Sequence, residues 1–89
     1  MTERTVTIAS RTGLHARPAR LFVEAAAALP VPVSVRLDGG KPVPANSILG
    51  VLSLGAAHGA AVTLAAEGPG AEEAVATLAD LLSRDLDEA

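Results

Sequence analysis

Between residues 5 and 29 the apolar pattern changes period, and the change falls on six residues, Gly13-Leu14-His15-Ala16-Arg17-Pro18. Upstream, Thr5-Val6-Thr7-Ile8-Ala9 alternates as a half-buried strand does. Downstream, Ala19, Leu21, Phe22, Ala25, Ala26 and Leu29 recur at helical spacing. A strand must give way to a helix inside this run, and Pro18 narrows the place: proline is tolerated in the first helical turn, where its missing N–H has no intrahelical partner to lose. The helix is expected to open at Ala16 or Arg17, with His15 at its N-terminus.

That position carries chemistry. First-turn amides without intrahelical acceptors, together with the positive end of the helix dipole, form an anion site. The dipole and Arg17 both disfavour the imidazolium, so a neutral, nucleophilic His15 is expected. If the ring attacked phosphorus, the transferred group would meet donors already placed for its equatorial oxygens, and such transfers are catalysed mainly by positioning and electrostatics. A lone histidine in a loop is more often a surface residue or a cap than a nucleophile. The run alone does not separate the two.

The remaining residues must supply a core from limited material. Eighty-nine residues suffice for one small domain, residues 1–89. There is no cysteine, so neither a disulfide nor a thiolate metal site can staple it. Hydrophobic residues are 49% of the chain, yet Phe22 is the only aromatic, so the core has to be aliphatic and rich in alanine. The alternation predicts strands over about 4–9, 31–37, 41–45 and 60–66, and helices over about 16–29, 47–54 and 71–86. Asp38-Gly39-Gly40 signals a turn, and Gly68-Pro69-Gly70 separates the last strand from the last helix. Pro42 and Pro44 cannot donate ladder hydrogen bonds, which assigns their strand to a sheet edge. The last helix should bury Ala71, Ala74, Val75, Leu78, Leu81 and Leu82, and residues 87–89 should fray. The order β-α-β-β-α-β-α reads as an α+β domain, two strand-helix-strand units and an appended helix in a two-layer sandwich.

Gly13-Leu14-His15-Ala16-Arg17-Pro18-Ala19 resembles the active-site signature of the HPr family, the histidine phosphocarriers of the bacterial phosphoenolpyruvate:sugar phosphotransferase system. A second family-like segment, Asn46-Ser47-Ile48-Leu49-Gly50-Val51-Leu52-Ser53-Leu54-Gly55, follows at nearly the usual distance. The resemblance implies a four-stranded antiparallel sheet in order 1-4-2-3 with three helices on one face. It further implies that His15 accepts a phosphoryl group on Nδ1 from Enzyme I and yields it to Enzyme IIA of a sugar permease. Arg17 would steady the group, and the amides of Ala16 and Arg17 would donate to its oxygens. Such a protein is a substrate of two enzymes and not itself an enzyme; no cofactor and no metal are expected.

Ser47 is expected to cap the second helix. In some family members the matching serine is phosphorylated by a dedicated kinase, so Ser47 is also a regulatory candidate, with a serine kinase or a transcription regulator as further partners. Asn46 stands where regulated members commonly carry lysine, and Leu49 and Leu52 where they commonly carry methionine. Ile48, Leu49, Val51 and Leu52 are more apolar than two turns packed on one side require; either all four enter the core, or an exposed part of them forms a docking face with Arg20. Arg20 departs from most relatives, which have a small or uncharged residue there. The span from His15 to Ser47 is one residue longer than usual, and the 38–40 turn is where it disturbs least. An alternative use of the same frame is regulatory: a nitrogen-type branch, or a transcription-regulator partner bound through the Ser47 face. His58 has no ligand partners at metal spacing and reads as a surface residue.

Charge narrows the partners. The net charge of -3 lacks the basic footprint of a nucleic-acid binder. Its distribution is uneven: Arg4, Arg11, Arg17 and Arg20 face only Glu3 in the first twenty residues, while Glu72, Glu73, Asp80, Asp85, Asp87 and Glu88 face Arg84 near the other end. No apolar run reaches membrane-spanning length, and the N-terminus lacks a signal-peptide pattern. A cytoplasmic protein without membrane insertion is expected.

Overall fold

The computed structural model describes residues 2–84. Along the chain run β1 (Thr2–Thr7), α1 (Ala16–Ala27), β2 (Ser34–Leu37), β3 (Val43–Pro44), α2 (Ile48–Ser53), β4 (Ala61–Ala66) and α3 (Ala71–Leu82). The sheet order is β1-β4-β2-β3 with every pair antiparallel, and the three helices cover one face. Alternation explains which face. Val62, Leu64 and Ala66 of β4 point to the helices, and the register sets Val6 of β1 and Val35 and Leu37 of β2 beside them. Ala19 and Phe22 of α1, Val51 of α2, and Ala74, Val75, Leu78 and Leu82 of α3 close over these residues as the core. At about 1.5–3 kcal/mol for each large side chain buried, this aliphatic layer carries the stability. On the opposite face Thr63 lies in register with Thr5 and Arg36 and is buried by its neighbours; its hydroxyl is 3.0 Å from that of Thr5.

The two prolines of the third strand are at the edge, as expected. The amide of Ala45 donates to Val33 at 2.8 Å. Amide direction alternates along a strand, so Pro44 and Pro42 occupy the positions whose N–H would face away from β2. The edge thus lacks the donors a further strand would need.

Several boundaries differ from the sequence reading, each for a local reason. β1 ends at Thr7 and not at residue 9. Ile8 remains buried, with its amide donating to Ala60 at 2.9 Å, but the amide of Ala9 turns aside to the Leu82 carbonyl at the end of α3. β2 starts at Ser34 and not at residue 31, because Pro32 has no N–H to enter the ladder. α1 stops at Ala27, two residues short of the expected end, because Pro30 disfavours helical backbone at the residue before it. Ala25 and Leu29 are half-buried partners of the core, and Leu21, expected on the inner face, is half-buried outside it. α3 closes at Leu82 with Ser83 as its C-cap, and Glu72 and Glu73 in its first turn oppose the dipole favourably. Its inner face is the expected one with Ala79 added and Leu81 only half-buried. The expectations for Leu86 and for fraying at 87–89 lie outside the described residues. Among those described, no helix is long and apolar enough to cross a membrane.

Candidate functional site

Leu14 is the anchor from which the site is built. Its side chain is 1% exposed within the core, and its amide donates to the Ala56 carbonyl at 2.8 Å, tying the 10–15 loop to the loop that precedes β4. Gly13 makes that contact possible. Its φ is +73°, and a Cβ there would run into the Ala56 carbonyl oxygen and reach within 2.8 Å of Ala57 Cα. Only glycine combines this backbone with so close an approach. With Leu14 turned inward, the next residue of an extended chain turns outward: His15 has φ −143° and ψ 153° and is exposed.

The helix then begins in an unusual way. Ala16 has φ +50°, the only non-glycine residue of positive φ among those described. Left-handed backbone costs an L-residue about 1–2 kcal/mol, and such outliers cluster at functional sites. His15 occupies the N-cap position of α1 but makes no side-chain cap bond. The amides of Ala16 and Arg17 likewise donate to no carbonyl outside the helix among the described residues. Arg17 is exposed beside them, whereas Pro18 and Ala19 are buried and hold the first turn on the core. Ala16 and Arg17 open a shallow depression that continues along α1 past Arg20, Leu21 and Glu24. An exposed histidine, two unspent amides and an exposed arginine therefore follow one another at one helix start. Such a set can receive a tetrahedral anion on the ring and hold its oxygens. Among the described residues no group of histidines and carboxylates could hold a metal ion.

Residues 2–84 match the family described as the PTS HPr component phosphorylation site. The chain belongs to the HPr family. It is 48% identical over 88 residues to the phosphocarrier protein HPr of Streptomyces coelicolor, covering 99% of this chain and 95% of that one. It is 49% identical over 82 residues to the HPr of Haloferax volcanii, covering 91% and 92% of the two chains. The crystal structure of HPr-C-His from Thermoanaerobacter tengcongensis superposes with a TM-score of 0.90 at 45% identity, covering 100% of this chain and 99% of that one.

In this HPr chain the second predicted segment forms α2, which touches α1. Ser47 is its N-cap: the hydroxyl oxygen accepts from the Gly50 amide at 3.1 Å, and the Ser47 carbonyl accepts from Val51 at 2.9 Å. Gly50 leaves room for this cap and for Val43 of β3, which a Cβ would approach to 3.2 Å. Ile48, Leu49 and Leu52 are 40%, 79% and 36% exposed, an apolar patch on a small domain. Val51, a candidate for the docking face, is instead 0% exposed. It sits one turn on from Ser47 and points into the core, so the docking set loses it. His58 is exposed in the loop before β4. Another concavity, lined by Pro32, Val33, Ser34, Pro42, Pro44 and Ala65, is at the far end of β4 from His15 and shares no residue with the depression on α1.

Sequence reasoning missed the positive φ of Ala16, which alanine does not advertise. It also missed the close approach at Gly13, for which a glycine two residues before the histidine was the available signal.

Proposed function

We propose that this chain is a phosphocarrier of the phosphotransferase system, accepting a phosphoryl group on His15 from phospho-Enzyme I and passing it to an Enzyme IIA. The lone pair of a ring nitrogen attacks phosphorus; the bond from phosphorus to the donor breaks, and its electrons leave with the donor. The amides of Ala16 and Arg17 donate to the group's oxygens, and the Arg17 guanidinium balances its charge. Little further machinery is required, because the group only changes carriers. The chain is then a substrate of its partners and has no turnover of its own. The observation that carries this reading is the exposed His15 at a helix start whose first amides are unspent. Arg20 and the apolar Ile48, Leu49 and Leu52 supply a docking face on the same side of the fold. Ser47 is first of all a cap; a phosphate on it would put negative charge beside that face and weaken docking of an acidic partner.

Incubation with phosphoenolpyruvate and Enzyme I tests the reading. An acid-labile phosphoryl adduct should appear on the native chain and be lost entirely in His15→Ala. An unmodified native chain, or an adduct that survives His15→Ala, would sink it.

A further inference from the structure

Arg17, Arg20, Leu21 and Glu24 recur at intervals of three and four and form one stripe along α1, with Leu21 as its half-buried floor. The depression they line begins at Ala16, so a protein that brings a phosphoryl group to His15 covers Glu24 as well. The carboxylate is poorly provided for such covering. Its recorded partner is Arg20, through Nε to Oε2 at 3.5 Å, the outer limit of a hydrogen bond, with side chains 76% and 60% exposed. A single long contact between exposed groups is weak. It leaves Oε1 of Glu24 and both terminal nitrogens of Arg20 unused. Desolvating a carboxylate in that state is unfavourable unless a better donor arrives, and an acidic surface laid over it adds like-charge repulsion.

We infer that Glu24 and Arg20 form a partner-selecting charge pair in the docking face, fitted to a phosphoryl-donor protein that presents a carboxylate over Arg20 and a lysine or arginine over Glu24. Two such groups stand about 5–6 Å apart, one helical turn. On docking the pair opens, and each member takes its counterpart on the partner. Glu24 thereby excludes surfaces that are acidic throughout, which Arg17 and Arg20 alone would attract. The donor is the partner so selected because it docks while His15 carries no phosphoryl group and only Glu24 competes for Arg20. Once the ring is phosphorylated, the new dianion competes for Arg20.

This inference rests on the carrier reading, and its test separates the two. The steady-state rate of His15 phosphorylation by phospho-Enzyme I is measured for the native chain, Glu24→Gln and Glu24→Arg, at low and high salt, with the extent of His15 modification after long incubation as a second readout. Glu24→Gln should lower kcat/KM about threefold and Glu24→Arg about tenfold, both through KM, with the losses shrinking as salt rises. All three chains should reach the same final modification and unfold at nearly the same temperature. An unchanged or raised kcat/KM in Glu24→Arg would overturn the inference, because an added cation helps only if the covering surface is acidic there. A native chain that takes no phosphoryl group would remove the carrier reading, and this inference with it.

Discussion

Two helices begin on the same side of this molecule, and they begin differently. α2 starts on Ser47, extended at φ −107°, whose hydroxyl accepts from the amide three residues on. α1 starts on His15, also extended, at φ −143°, with no cap bond and a left-handed Ala16 behind it. The amide that Ser47 uses belongs to Gly50; at the equivalent place after His15 stands Pro18, which has none. Pro18 thus denies residue 15 the bond that satisfies the shorter helix, while Ala16 and Arg17 keep donors for something outside the chain. One helix start has its third amide capped by the hydroxyl of its own N-cap residue. The other is left open where an anion would bind, and the fold accepts a strained alanine there.

The largest effect should come from the loop that aims the open start. Gly13→Ala combines left-handed backbone, about 1–2 kcal/mol, with a Cβ driven into the Ala56–Ala57 backbone, about 1–3 kcal/mol more. A loss of about 3 kcal/mol is expected, a large part of the stability of a small domain. Gly55 provides the control. Its φ is +63°, but nothing lies within 4 Å of a Cβ there, so Gly55→Ala should cost only about 1 kcal/mol. Urea unfolding of the two variants measures the difference, and equal midpoints would show that the contact at Ala56 does not hold the loop. Gly13→Ala should also slow His15 phosphorylation about 100-fold in the folded fraction, since small misplacements of a reacting group are costly.

Much of this contrast was legible in the residues, and the part that was not has a physical reason. Strand alternation in Thr5–Ile8 and Val62–Ala66, and the helical recurrence of Ala19, Phe22 and Ala26, report burial directly, so the element order and the inner faces followed from the sequence. Pro42 and Pro44 report an absent donor, so the edge did too. Ser47 reports a cap, because serine oxygen suits that geometry better than most side chains. Val51 misled because an apolar residue on a two-turn helix reads alike whether it faces partner or core; only the placement of α2 against α1 and β3 decides. Ala16 gave no signal, since its backbone is set by Leu14 being pulled inward on one side and Pro18 and Ala19 being packed on the other. Glu24 gave no signal, because its relation to the site depends on where α1 begins.

Exchanging the caps sharpens the comparison at a smaller scale. Ser47→Ala removes the bond to Gly50 from a helix of six residues that already contains a glycine, and should cost about 1 kcal/mol. His15→Ser offers α1 the same side chain, yet it should return less than about 0.5 kcal/mol, because the third amide is missing at Pro18 and only that of Arg17 is left to it. For a domain of this size 1 kcal/mol moves the melting temperature by roughly 4–8 °C, so calorimetry resolves the two. A gain from His15→Ser as large as the loss from Ser47→Ala would mean that α1 is uncapped only because of the histidine and that Pro18 is incidental.

The smallest expected effect is also the most direct reading of strain. Ala16→Gly removes the Cβ that makes φ +50° unfavourable and should recover about 1–2 kcal/mol in the folded state. Glycine at the same time enlarges the unfolded ensemble, which returns about 0.4–1 kcal/mol of that gain. The net should be a stabilisation of about 0.5 kcal/mol, visible as a slightly higher urea midpoint with an unchanged slope. The sign is what matters. At an ordinary first-turn residue the same substitution loses stability, because there is no strain to relieve and the entropic term stands alone. A lowered midpoint would therefore show that Ala16 is not strained, and that the first amides of α1 are oriented by packing of Pro18 and Ala19 alone.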